Sequence, residues 1–205
     1  MIPQRGGRAL VLSICILLTS RPGLAADPAP GLPAELRAAP VALVVWKHTY
    51  RMRLFVSGRL RKTYVVGLSQ RPLGHKQKQG DNRTPEGRYR IIQKAPGPFP
   101  GAFGAYLGTR WLRLNYPNDA DARAGLAKGR IDKKEFAKIL AANKDGREPP
   151  KTTALGGGIG IHGWKGKWPG PDKQNLTWGC LTLQNDDLED LYDRVPVGTP
   201  VVILP

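Results

Sequence analysis

Cys180 and His162 are the residue types in this chain best suited to covalent chemistry, and only 17 residues lie between them. A thiol becomes a strong nucleophile when a neighbouring base takes its proton, and histidine is the usual partner. Histidine is scarce: His48, His75 and His162 are the whole set. His48 and His75 fall in or near loops of the first half, whereas His162 ends the apolar run Ile159-Gly160-Ile161 and is followed by Gly163. Its ring can therefore project from a sheet edge that backbone is free to approach. Gly179 directly before Cys180 leaves the main chain open to a substrate carbonyl. The amides of Gly179 and Cys180 could then face a developing oxyanion. The chemistry such a set can do is nucleophilic attack on a carbonyl.

The cysteine count bears on the same point. Arg5 and Arg8 precede an apolar run from Ala9 to Thr19, and Leu24-Ala25-Ala26 ends in small residues. That is the layout of a secretory leader covering residues 1–26. As a membrane anchor the run is shorter than the roughly 20 residues a spanning helix needs. The bulky Ile14 before Cys15 argues against lipid attachment there. With the leader goes Cys15, so Cys180 is left as a lone thiol in an oxidising compartment: buried and inert, half of an intermolecular bridge, or reactive. The charge of the whole chain is +16, and loss of Arg5, Arg8 and Arg21 leaves +13. Such a surface gathers near polyanions. For an exported chain these are envelope polymers and acidic peptides rather than nucleic acid. The basic residues are scattered, as on a solvated surface.

The elements that must hold Cys180 and His162 follow from the pattern. Residues 27–40 are Pro/Ala-rich and read as a linker. From Val41 the pattern is β: the run Val41 to Trp46, an alternating segment at Met52 to Val56, a turn at Ser57-Gly58, and strand character again at Leu60 to Val66. Gly67 to Gly80 reads as a loop and Thr84-Pro85-Glu86-Gly87 as a turn. Strands are expected at Arg88 to Gln93, within Tyr106 to Tyr116, at Ile159 to His162 and at Val201 to Leu204. Asp119 to Asn143 reads as a helical insertion. Its capping-box pair is Asp132 and Glu135, Phe136, Ile139 and Leu140 share one face, and Gly146 ends it. A C-terminal helix is expected at Asp186 to Arg194, capped by Asn185, with Leu188 and Leu191 inward. Repeats are absent.

The order His-Gly, the intervening loop, then Thr177-Trp178-Gly179-Cys180 resembles the L,D-transpeptidase (YkuD-like) catalytic domain. Gly80-Asp81-Asn82-Arg83-Thr84-Pro85-Glu86-Gly87-Arg88-Tyr89, Asn115-Tyr116-Pro117-Asn118 and Val195-Pro196-Val197-Gly198-Thr199-Pro200 are also similar to family segments. Together they spread the resemblance over residues 41–205. It implies a mostly β, sandwich-like or barrel-like catalytic domain with the cysteine in a cleft, plus the helical insertion and C-terminal helix. It further implies attack by Cys180 on the third residue of a peptidoglycan stem tetrapeptide, release of the terminal D-alanine, and transfer to an amine. The product is a 3→3 crosslink or a wall-attached protein.

By the same resemblance His162 is general base and acid, and the Gly163 carbonyl orients its ring. Trp178, Gly179 and Cys180 supply oxyanion-hole amides, and Thr177, Trp164 and Thr182 lie on the substrate side. No metal or organic cofactor is needed, because a thiolate, a base and amide dipoles suffice. Two positions depart from the commoner pattern: Trp178 stands where His is frequent, and Thr182 where Arg is common. A branch with a Thr-x-Gly-Cys core also lacks that Arg. Trp164, Trp168 and Trp178 either line a groove or pack. Resolution of the same thioester by water, or a basic wall-binding module without catalysis, are the competing readings.

Overall fold

The computed structural model describes Met1, residues 31–170 and residues 173–205. Apart from Met1, the expected leader lies outside these, as do residues 27–30 of the expected linker. Strands β1 (Val41–Trp46), β2 (Arg51–Val56) and β3 (Arg59–Val65) form an antiparallel meander, as their alternation predicts. They continue into an eight-stranded sheet with β5 (Gly87–Pro96), β6 (Arg110–Leu114), β7 (Gly160–His162), β9 (Leu181–Thr182) and β10 (Pro200–Leu204). The order is β3-β2-β1-β10-β5-β6-β7-β9, while β4 (Leu68–Ser69) and β8 (Asn175–Thr177) pair separately. The β1–β10 and β7–β9 pairs are parallel.

The sheet curls into a half-barrel. Gly67, two residues after β3, exchanges backbone hydrogen bonds of 2.7 and 2.9 Å with Thr182 of β9, the opposite edge. The two edges therefore meet at one residue pair. A Cβ on Gly67 would lie 2.6 Å from Thr182 Cγ2, so the contact requires glycine.

Burial explains why β1 is apolar without a break. Leu43 and Val45 point into the main core with Met52, Leu54, Ile161, Leu181, Val201 and Ile203. Ala42 and Val44 face the other side with Phe55 and Val202. Side chains alternate along a strand, so a strand covered on both faces cannot show polar alternation. The second face is covered by Leu32 and Leu36, both 7% exposed, around a 3₁₀ turn at Ala34–Leu36. From Leu32 onward, the stretch read as a linker is packed on the sheet, and Glu35 bridges to Arg88. The C-terminal helix α3 (Asn185–Arg194) fills the main core with Leu188 and Leu191.

Two other expectations need correction. The insertion is two helices, α1 (Asp119–Ala127) and α2 (Lys133–Lys144), each with its own capping box: Asn118 with Asp121, and Asp132 with Glu135. Within residues 106–116 the expected strand is β6, preceded by a short 3₁₀ turn at Gly104–Leu107. Residues 84–86 form no turn and run irregularly into β5. Here tertiary contact overrides local turn chemistry. The Lys47 ammonium, 1% exposed, donates to the carbonyls of Gly74 and Thr84 and to Glu86 Oε1, at 2.8, 3.0 and 2.9 Å. Thr84 Oγ1 bonds Ser69 Oγ at 3.1 Å.

Asn115, Tyr116 and Asn118 anchor the helical pair. Asn115 Oδ1 accepts from Arg90 N and its amide donates to Asn143 Oδ1, the Tyr116 hydroxyl donates to Leu155 O, and Asn118 caps α1. Among the described residues, no helix is long and apolar enough to cross a membrane.

Lys47→Met should be costly, because it strands two carbonyls and a carboxylate at once. Breaking such a pair costs about 3 kcal/mol where one partner, here Glu86, keeps some solvent. Urea unfolding of wild type and variant checks this; a loss under about 1 kcal/mol would reduce Lys47 to an ordinary surface pair.

Candidate active site

Parallel pairing of β7 with β9 brings the two chemical residues together: Ile161 is opposite Leu181, and His162 opposite Thr182. Cys180 immediately precedes β9, so its thiol emerges beside Gly160, whose amide favours the thiolate. A Cβ on Gly160 would lie 2.6 Å from Leu112 O and 2.7 Å from the Trp111 ring, so β6 and β7 approach this closely only across glycine. Cys180 is a free thiol, half-buried. Together with His162 it lines one cavity of about 300 Å³, walled by Phe103, Tyr106, Trp164 and Trp178 and floored by Gly157 and Gly158.

His162 is 4% exposed, and its ring stacks on Trp111 at 5.8 Å. Nδ1 lies 2.7 Å from the Gly163 carbonyl oxygen. A carbonyl only accepts, so Nδ1 carries the hydrogen and Nε2 keeps its lone pair for use as a base. The same carbonyl accepts a second bond, 2.6 Å, from Thr182 Oγ1. Thr182 is fully buried and cannot meet substrate, contrary to its expected place on the substrate side. It instead fixes the carbonyl that fixes the imidazole.

Thr177 is also committed internally. Its hydroxyl donates to Cys180 O at 2.6 Å and accepts from Gly179 N at 3.3 Å, bracing the turn that carries the thiol. The Gly179 amide expected in the oxyanion hole is thus the one of the three already partnered. Trp164 and Trp178 line the cavity, and Trp178 is 53% exposed with an edge contact to Phe103 at 5.7 Å. Trp168 is buried and is not among the lining residues.

Asn185, expected as a helix cap, makes no capping bond; the cap position is Gln184. Asn185 binds the backbone of Trp164, accepting from its N–H at 3.2 Å and donating to its carbonyl at 3.1 Å. It lies so close to Gly163 and Gly108 that a Cβ on either would fall 2.1 or 2.4 Å from Oδ1. Phe103, Tyr106 and Leu107 were missed from sequence. They come from a Gly/Pro-rich connection far from the Cys–His region, and no spacing signal ties them to it.

Burial governs the electrostatics. It pulls His162 down to about 4, against the Gly163 and Tyr106 carbonyls that favour the cation. Burial likewise pushes the Cys180 thiol up to about 11, although the Gly160 amide, Arg113 and Lys76 act the other way. Between those values the resting pair is imidazole and thiol, both uncharged. The thiol's hydrogen bond runs to Gly158 O at 3.7 Å.

A sequence model of the L,D-transpeptidase catalytic domain (YkuD) matches residues 40–203. No curated protein matches the chain. Among solved structures, Bd1075 of Bdellovibrio bacteriovorus is similar at TM-score 0.52 and 21% identity, covering 80% of this chain and 48% of the other. The helical cell shape determining protein Pgp2 from Campylobacter jejuni gives TM-score 0.52 and 21% identity, covering 80% and 46%. An L,D-transpeptidase from Mycobacterium smegmatis gives TM-score 0.47 and 14% identity, covering 81% and 59%. The chain thus spans about half the length of the first two, and the likeness establishes the fold.

Two measurements test this geometry. Alkylation of Cys180 by iodoacetamide requires thiolate. A pKa raised to about 11 makes the rate climb with pH beyond 9 and level only near 11. A plateau at neutral pH would instead show a standing thiolate–imidazolium pair. Thr182→Val should cost about 1–2 kcal/mol and displace the His162 Nδ1–H resonance in NMR spectra, while Thr182→Ser restores both. An unmoved resonance in the valine variant would remove Thr182 from the positioning role.

Proposed function

The chain belongs to the L,D-transpeptidase (YkuD) catalytic domain family, and we propose on that footing that it is a cysteine acyltransferase acting on peptidoglycan stem peptides. We place it in the branch with a Thr-x-Gly-Cys core. The observation that carries the reading is one cavity shared by a free thiol and a buried imidazole whose tautomer is set by the Gly163 carbonyl.

In the proposed reaction a tetrapeptide carbonyl enters beside Cys180. His162 Nε2 takes the thiol proton as sulfur attacks the carbonyl carbon. The C=O π pair moves onto oxygen, which faces the Trp178 and Cys180 amides. Collapse re-forms the carbonyl and breaks the C–N bond to the terminal amino acid, whose nitrogen receives the proton from the imidazolium. The thioester left on Cys180 is attacked by an acceptor amine, His162 again moving the proton, and sulfur leaves. The acceptor is a side-chain amine of a second stem or of a wall-attached protein.

Neutral resting groups suit this order of events. A standing thiolate would need the protein to stabilise a buried charge before substrate arrives, and burial here opposes both charges. Metal and organic cofactors have no part in these steps. The proposal includes the reading of residues 1–26 as a secretory leader, with the protein exported to the periplasm or cell envelope, where stem peptides lie.

Mass spectrometry of the protein after incubation with a tetrapeptide or a carbapenem should find the acyl group on Cys180, and Cys180→Ala should carry none. His162→Ala should slow acylation by about 10²- to 10⁴-fold. New muropeptide dimers are the expected product; trimmed monomers alone would reassign the reaction to hydrolysis. A wild-type thiol that reacts with neither donor while the protein still binds sacculi would leave a binding module.

A further inference from the structure

Beside the nucleophile lies a second cavity, of about 350 Å³, lined by Arg71, Gln77, Lys78, Asp81, Arg83 and Arg130. Its only acid is already satisfied. Burial opposes charge on Asp81, yet the Gln77 and Lys78 amides and the Lys76 ammonium outweigh it and hold the carboxyl below its usual value. Arg83 N–H donates to the same side chain at 3.2 Å. No salt bridge among the described residues engages Arg71, Lys78, Arg83 or Arg130. The uncompensated charge is felt nearby: Arg83 is among the groups depressing the buried Lys47 ammonium.

The seat is shaped rather than incidental. Gly74 leaves room for Arg83, since a Cβ there would lie 2.3 Å from Nη1. Arg130 Nη2 is held by Gln77 Oε1 at 2.8 Å. Backbone bonds tie this loop to the end of β8, three residues before Cys180, and to the segment that leads into β7. Gln70 N donates to Thr177 O and Gln79 N to Ala154 O, at 2.9 and 2.8 Å, and Arg71 N donates to Asn82 O within the loop. The Arg83 carbonyl lies 3.3 Å from where a Gly179 Cβ would sit.

We propose that Arg71, Lys78, Arg83 and Arg130 form an anion subsite that takes a free carboxylate of the donor peptide, one not involved in the broken bond. Guanidinium groups match a carboxylate with paired charge-assisted hydrogen bonds. The cavity adjoins the Cys180 turn, so a peptide acylating the thiol extends its neighbouring residues across it. The subsite rests on the peptide-acylation reading and selects the acidic form of that substrate over its amidated form.

The test uses two synthetic tetrapeptides, identical except that the residue before the acylated one bears a free carboxylate or a carboxamide. Wild type should acylate from the acid with a KM about tenfold lower than from the amide, as one charge-assisted pair implies. In Arg71→Gln/Arg83→Gln the ratio should fall to within about twofold, while Arg59→Gln, on exposed β3, keeps it. Thermal unfolding verifies that the variants fold. No preference in wild type, or a preference that survives the double substitution, overturns the subsite. If neither peptide acylates Cys180, the acylation reading fails. The subsite is then decided by titrating the acid peptide into Cys180→Ala, where binding must weaken about tenfold with Arg71→Gln/Arg83→Gln. Loss of binding to an anionic wall polymer, with peptide preference unchanged, assigns the patch to the polymer and also overturns the proposal.

Discussion

The hydrogen-bonded contact between Gly67 and Thr182 holds the Cys180–His162 end of the molecule in shape. It is where the two edges of the curled sheet meet, and Thr182 serves three structures at once. Its backbone closes the half-barrel onto Gly67. Its hydroxyl saturates the Gly163 carbonyl. Through β9 it also sets the start of the strand that follows Cys180. Displacing Thr182 would shift the nucleophile and the orienter of the base in the same movement. A side chain on Gly67 would do this, which is why the closing residue carries none. The site is thereby coupled to the integrity of the sheet rather than to a mobile loop.

The same burial that makes this frame rigid decides the protonation states. His162 belongs to β7, and its ring, stacked on Trp111, is kept uncharged by desolvation while its Nδ1–H is fixed on the Gly163 carbonyl. Two carbonyls near the ring favour the cation but do not overcome burial. The thiol is in the mirror situation, with an amide and two distant cations favouring the anion and burial prevailing. The Gly163 carbonyl therefore serves orientation more than basicity. Its two accepted hydrogen bonds leave it little freedom to turn, so the Nε2 lone pair keeps one direction. In the proposed reaction, charge appears only when a substrate oxygen meets the open amides.

Much of this was legible in the sequence, and the failures have physical causes. The strands from Val41 and the helix α2 announced themselves through alternation and a capping box, both local properties. The companion helix α1 has the same kind of box, Asn118 with Asp121, but lacks a strong apolar face to flag it. Cys180 and His162 could be paired because the one cysteine left after the leader lies in the same Gly-rich region as a histidine that ends an apolar strand. Thr182 could not be assigned, because β9 is only two residues long and such a strand does not reveal which face is inward. Asn185 carries a good capping residue's side chain, yet the backbone of Trp164 outcompetes the helix end for it. The Thr84-Pro85 turn failed for a related reason: the buried ammonium of Lys47, just after β1, offered its carbonyl a better partner than the turn could.

That ammonium also explains why one loop can carry so many positive charges beside the cavity of Cys180 and His162. Lys47 and Lys76 are both buried, and each takes up one of the loop's acids, Glu86 and Asp81. The acids are thus consumed in holding the segment from Gly67 to Gly87 against the sheet. Arginines 71 and 83 remain outside those pairs, so the surface next to the cleft is electropositive by construction and not only because the chain as a whole is basic. A scattered excess of lysine and arginine would attract polyanions without direction. A loop whose carboxylates are all turned inward, and whose backbone is bonded to the strand bearing Thr177, gives that attraction a fixed position relative to Cys180.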